Sequence, residues 1–170
     1  MNLKPDSRID DVWIPATGLK APLIKPATWV AHGISGAWQF ANGDDETLIV
    51  DMQIPIHMDR DINPIIIIGW SADGVNPGNC EWQLAYKWLE VDSDTTGPAL
   101  ATITQIAPAS AIRANGMVLT AFSDEILHPS KDDVCIQLNI KRLAAGILDT
   151  IADTVEMLGV CMSFNKKEGM

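Results

Sequence analysis

The sequence predicts an all-β fold, an antiparallel β-sandwich of jelly-roll type with about eight strands. Three observations carry that prediction. Between Cys80 and Trp88 the large apolar residues take every second position, as Cys80, Trp82, Leu84, Tyr86 and Trp88, with Glu81, Gln83 and Lys87 between them. Side chains alternate between two faces only in extended chain; a helix would scatter these aromatics around its surface. Val134, Ile136, Leu138 and Ile140 repeat the pattern against Gln137, Asn139 and Lys141. Turn-forming clusters separate such stretches, and no amphipathic helix of ordinary length interrupts them.

Residues 1–28 read as an extended arm. Pro5, Pro15, Pro22 and Pro26 each remove a backbone donor and bias the preceding residue toward extended geometry. Trp13, Ile14, Leu23 and Ile24 are apolar anchors along it. The sandwich domain then occupies 29–170. Short strands are predicted at 28–34 and 37–40, broken by Gly33 and Gly36, and Asn42-Gly43-Asp44-Asp45 reads as a hairpin turn. Residues 47–55 place Leu48, Val50, Met52 and Ile54 on one face. The run Ile65 to Ile68, followed by Trp70, fits a strand over 62–72 that is covered on both sides. After the turn residues 73–79 comes the long strand 80–91, then polar loop to Pro98. Strands follow at 100–106, 117–123 and 134–143. A short helical turn is predicted within 146–152. The last strand, 154–164, puts Leu158, Val160, Met162 and Phe164 on one face.

Hydrophobic residues make up 47% and charged residues 20% of the 170, enough to build one core without staples. A formal net charge of −10 disfavours phosphate backbones and anionic lipid surfaces. The densest basic runs are only Lys141-Arg142 and Lys166-Lys167. Neither nucleic acid nor membrane is expected as a partner. The longest apolar run is too short to span a bilayer, and Met1 to Arg8 lacks the pattern of a signal sequence. Cys80, Cys135 and Cys161 are far apart, lack metal spacing, and fit small hydrophobes made in a reducing compartment.

Candidate chemistry is sparse. His32, His57 and His128 stand at no metal-binding spacing from one another. The stretch Asp92-Ser93-Asp94-Thr95-Thr96-Gly97 resembles the opening of a calcium loop but lacks the late bidentate glutamate. Asp59-Arg60-Asp61 reads as a charged local turn, with pairing across a subunit boundary as the alternative. Nucleophile elbow, Cys–His pairing and phosphate-binding glycine loop are all missing. No catalytic, cofactor-binding or metal-binding residue is assigned, no cofactor is implied, and no enzyme activity is expected. Trp82, Tyr86 and Trp88 read as core, with a carbohydrate-stacking platform as the alternative.

Three motifs add a resemblance. Pro55, Pro64 and Trp70 frame the first; Gly78, Asn79, Trp82, Gln83, Leu84, Tyr86 and Trp88 form the second; Asp149, Thr150 and Asp153 form the third. Over residues 49–164 the chain resembles a family of tailed-bacteriophage structural proteins, often of unassigned role. Many relatives carry histidines where this chain has Ile65 to Ile68 and Gly69, so no metal or polar site is carried over. The resemblance implies a virion component, made in the host cytoplasm, with a jelly-roll-like domain. The expected role is a capsid decoration or cement protein. It would associate with itself, as a homotrimer, and stabilise neighbouring subunits of the major capsid protein or other virion proteins. Trp13, Ile14, Leu23, Ile24, Trp29 and Trp38 are the candidate interface residues. The alternative is a tail or fibre component, including a receptor-binding module for host glycans.

Overall fold

The alternating segments form ten strands in two antiparallel sheets. The computed structural model describes residues 9–74, 78–92, 98–99, 101–109, 116–122 and 126–167. The strands are β1 (Ile9–Pro15), β2 (Thr28–His32), β3 (Ser35–Phe40), β4 (Thr47–Gln53), β5 (Ile65–Ala72), β6 (Gly78–Glu90), β7 (Ala101–Ala109), β8 (Val118–Phe122), β9 (Asp133–Arg142) and β10 (Val155–Asn165). A six-stranded sheet runs β2-β3-β10-β5-β8, with β1 also paired to β10; the other sheet runs β4-β9-β6-β7. The long β10 holds β3 at Val155–Met157 and β1 at Gly159–Asn165.

The all-β sandwich is as the sequence predicts, with ten strands in place of about eight. The strand not anticipated is β1, which lies in the proline-rich segment. Only Pro15 falls inside it, at its last position, so the ladder loses little from a missing donor. From residue 9 onward, the stretch expected as an arm runs along its own sandwich. β1 pairs with β10, and Lys20 and Pro26 bridge to Ile49 and Thr47 of β4. Residues 1–8 of that arm and the calcium-like 93–97 lie outside the described residues.

Four local expectations are corrected. Asn42 to Asp45 turns the chain but makes no hairpin, because β3 and β4 belong to different sheets. Residues 146–152 hold turns and irregular chain; among the described residues the one helical element is the 3-10 turn Ala16–Gly18. In β10 a register shift between Met157 and Gly159 changes the phase. Val155 and Met157 therefore share the core with Val160, Met162 and Phe164, while Leu158 is only half-buried. A similar shift at Leu89/Glu90 leaves Val134 exposed, although its parity matches Ile136.

The core between the sheets is built by inward residues of every long strand. Trp82 meets Phe40 edge-on at 5.2 Å and Trp70 at 6.0 Å between ring centroids. Burying such rings supplies large apolar area with fixed geometry. Trp70 Nε1 donates to Thr120 Oγ1 at 2.9 Å, which removes the cost of an orphan donor in the core.

A fully buried ion pair closes one end of that core. Arg142 follows Ile136, Leu138 and Ile140 on the inward parity of β9 and is fully buried. Its Nε and Nη2 donate to the two carboxylate oxygens of Asp149 at 2.9 Å each. Its remaining donors reach the carbonyls of Phe40 (3.3 Å), Ala41 (3.5 Å), Ile151 (3.1 Å) and Asp153 (3.2 Å). Asp149 Oδ2 also accepts the Glu81 N–H at 3.2 Å. The planar fork satisfies backbone that no strand ladder reaches. Breaking this pair strands a buried charge. Asp149→Ala should therefore lower unfolding free energy in urea by about 3–5 kcal/mol. Lys20→Ala, which opens an exposed pair with Asp51, should cost less than about 1 kcal/mol.

At the other end of β10, Asp10 on β1 accepts from His57 Nε2 at 3.0 Å and Lys166 Nζ at 3.4 Å. The His57 hydrogen bond first, then the Asp11 N–H, and less so Lys166, hold the Asp10 carboxyl below its ordinary 3.8 against the opposing effect of desolvation. A carboxyl depressed in the folded state stabilises above its unfolded pKa, and that contribution fades as pH falls through the folded pKa. β1 amides should be better protected from hydrogen exchange in the wild type than in Asp10→Asn at neutral pH. That gap should close as pH drops below 3.8.

Candidate functional site

The outward faces of the two sheets differ in chemistry. On the four-stranded sheet the register sets residues into rows across the strands. Ile49, Asn139, Ala85 and Thr102 form a central row. Asp51, Gln137 and Lys87 lie on one side of it, and Thr47, Lys141, Gln83 and Thr104 on the other. These are the residues that alternate with the core positions, so the same periodicity that builds the core spreads amides and hydroxyls over this face. Ala85, the small residue in the middle, leaves a hollow.

Two adjoining hollows make a groove. One, about 200 Å³, lies over Ala85 between Gln137 and Asn139, and is bounded by Lys87 and Ala99. The other, about 520 Å³, shares Lys87 and Ala99 and continues past Pro98, the half-buried Trp88, Leu127 and His128.

The loop 126–132, between β8 and β9, walls the larger hollow and is held from many sides. Ile126 is buried in the core. Trp88 Nε1 donates to the Leu127 carbonyl at 2.9 Å, and the Leu127 N–H donates to Tyr86 Oη at 2.9 Å. The His128 N–H reaches Asn63 Oδ1 at 2.9 Å, and the Ser130 N–H reaches Asp133 Oδ2 at 2.6 Å. Arg60 Nη1 donates to the carbonyls of Ser130 (2.7 Å), Lys131 (3.0 Å) and Asp133 (2.7 Å). Arg60 thus leaves its own charged turn and clamps a loop some seventy residues away (|i−j| 70 to 73). Such a wall is preorganised, which lowers the ordering cost of binding.

The face is close to electrically balanced. Lys20 Nζ meets Asp51 Oδ2 at 3.3 Å, and Lys141 Nζ meets Asp45 Oδ2 at 3.0 Å. Partial burial works against the Asp45 carboxylate, but Lys141 and the Ala145 N–H together bring its pKa below 3.8. Gln137 Nε2 donates to Asp51 Oδ1 at 3.1 Å. Burial pushes the Cys135 thiol up, so it is uncharged here.

The outward face of the six-stranded sheet carries an apolar patch interrupted by the exposed Asp11 and by Ser163. Trp13 lies against Gly69 and Gly159, where a Cβ would come within 2.7 Å and 2.4 Å of its ring. Ile9, Ile65, Met117 and Leu119 are exposed around it.

The predicted interface residues separate into three places. Trp13 is 41% exposed in that apolar patch. Leu23 and Ile24 are exposed between β1 and β2. Trp29 and Trp38 meet edge-on at 5.1 Å, and Trp38 donates to the Ala16 carbonyl at 2.8 Å. Ile14 and Trp38 are packed against the core. Trp82 and Tyr86 are core, though Tyr86 also borders the smaller hollow, and Trp88 lines the larger one. His32 pairs with Glu156, and His57 with Asp10. Among the described residues no three His, Cys, Asp or Glu side chains are grouped to hold a metal ion. Burial raises the Cys80 thiol far above its ordinary range, which leaves it inert.

No family model and no curated protein matches the sequence. Among solved structures, the chain is similar to a xylan-binding module, CBM15. The TM-score is 0.51 at 10% identity, covering 93% of this chain and 98% of that one. The fold is a jelly roll. Weaker similarity extends to the CBM36-1 domain of a multidomain xylanase from the hindgut metagenome of Trinervitermes trinervoides (TM-score 0.47, 6% identity, 90% and 96% covered). It extends also to the enzymatically active domain of bacteriophage CBA120 tailspike protein 4 (0.44, 11%, 94% and 19%). At such identities the likeness concerns fold alone, and only the first score bears on it.

Because Arg60 contacts the loop through three carbonyls, Arg60→Ala should speed hydrogen exchange at 130–133 while central β6 amides keep their protection. It should also shift Trp88 fluorescence, since that loop covers its indole N–H.

Proposed function

We propose that this domain binds carbohydrate without transforming it, in the groove of the four-stranded sheet. The carrying observation is that the hollow over Ala85, flanked by the amides of Gln137 and Asn139, adjoins at Lys87 and Ala99 a second hollow lined by Trp88, which lies half-buried on the core side of β6. A sugar ring offers an apolar C–H face and a rim of hydroxyls. An aromatic wall suits the first, and groups that both donate and accept suit the second. The non-catalytic part of the reading rests on what the acids do. Of the two acids that line the larger hollow, Asp133 is buried and committed to the Ser130 N–H while Glu90 is exposed at the end of β6, so the two do not form a matched buried pair; Asp51 and Asp45 are paired with lysines. A glycosidase needs two carboxyls flanking the bond it cleaves.

Together with the phage resemblance, we propose a tail or fibre location, with host-surface glycans as ligands. The described part of residues 1–28 packs on its own domain, which favours a detachable module over an interlocking shell. A second reading, capsid decoration through the major capsid protein, is favoured by one observation. The exposed Ile9, Ile65, Met117 and Leu119 near Trp13 form an apolar patch beside the exposed Asp11, and such patches mark protein contacts.

A glycan array probed with the purified full chain tests this. Wild type should be retained by at least one oligosaccharide class, and Trp88→Ala and Asn139→Ala should weaken retention about tenfold or more, near 1.4 kcal/mol. Leu119→Ser, on the opposite sheet, should leave it unchanged. Absence of glycan binding, with capsid binding abolished by Leu119→Ser, would replace the first reading by the second.

A further inference from the structure

Resting on the carbohydrate reading above, the groove also limits the charge of its ligand. Recognition of a sugar carboxylate or sulfate uses an arginine fork, a lysine whose charge is not offset, or a nest of backbone N–H groups. Each lysine bordering this face lies against a partner, which offsets the charge of Lys20 and Lys141, though each keeps further N–H donors. Lys20 is on Asp51, Lys141 is on Asp45, and Lys87 has a partner of its own. Arg60 is turned onto loop carbonyls. The whole chain carries −10, so an acidic polymer meets repulsion on approach.

What the face offers instead is neutral and two-sided. Among the described residues nothing hydrogen-bonds the side-chain amides of Gln83 and Asn139. Gln137 gives one N–H to Asp51 and keeps its other N–H and its carbonyl oxygen. Thr102 and Thr104 lie outward and exposed beside them. An amide or threonine hydroxyl both donates and accepts, as a sugar hydroxyl does. Against a carboxylate only its donor half is useful, and the amide oxygen is repelled. From Gln83 to Trp88 the strand runs about 17 Å, room for several sugar units in a row.

We infer that the groove takes an uncharged oligosaccharide, its hydroxyls read by Gln137 and Asn139 in the groove and by Gln83, Thr102 and Thr104 on the sheet face beside it, and that it discriminates against acidic glycans.

The test uses the full chain with matched sets of immobilised neutral, uronic-acid, sialylated and glucosamine oligosaccharides, at low and high salt. The expected result is retention by neutral members, nearly independent of salt. Asn139→Asp should weaken it about tenfold by removing a donor. Asn139→Lys should gain acidic oligosaccharides, with binding that falls as salt rises. Wild-type binding that is strongest to acidic or to glucosamine members and collapses with salt would overturn the charge assignment and leave the carbohydrate reading standing. Retention by no member at all would overturn both.

Discussion

The Arg142–Asp149 pair is the constraint on which the arrangement of this chain depends. Ladder bonding explains how strands join within a sheet, but the chain repeatedly leaves one sheet for the other. Arg142 gathers the carbonyls of Phe40 and Ala41, where β3 departs for β4, and of Ile151 and Asp153, where β9 departs for β10. Asp149 adds the Glu81 N–H of β6. Asn79 joins in by exchanging hydrogen bonds with Thr150 at 2.8 Å each way. A buried ion pair is weak evidence for net stability, since desolvation offsets much of its attraction. Its value here is positional. It is a neutral unit that satisfies backbone oxygens in irregular chain, at the closed end of the sandwich.

With that end fixed, the opposite end of β6 is free to carry the groove. Trp88 lies at the far end of the strand from Glu81, under a loop that returns from β8. The two outward faces then divide the surface. One is amide- and hydroxyl-rich with paired charges; the other carries an apolar patch beside Asp11, with an indole laid on two glycines. A domain with such faces is suited to hold a polar ligand on one side while another protein covers the other.

Much of this was legible in the sequence, and for a clear reason. Alternation from Cys80 to Trp88 and from Ile136 to Ile140 fixes both the buried set and its complement, so Gln83, Gln137 and Asn139 could be placed outward together. Arg142, read in the sequence only as half of a basic run, stands on the apolar parity of β9, and that parity was the overlooked signal of a buried charge whose partner is the motif residue Asp149. Other features have no local signature. Prolines masked β1, because its pairing with β10 spans nearly the whole chain. Turn residues at 42–45 announce a reversal but not which sheet follows. The bulge at Leu158 shifts phase without a sequence mark. The groove wall depends on contacts such as Arg60 to Asp133 and Trp88 to Leu127, which periodicity cannot reveal.

The most direct measurement is residue-resolved NMR of the isotope-labelled chain titrated with a neutral oligosaccharide. The predicted result is a contiguous set of shifting signals: the side-chain amides of Gln83, Gln137 and Asn139, the Trp88 indole N–H, and backbone amides of 127–130. Shifts confined to Trp13, Leu119 and their neighbours, or none under saturating sugar, would contradict the account.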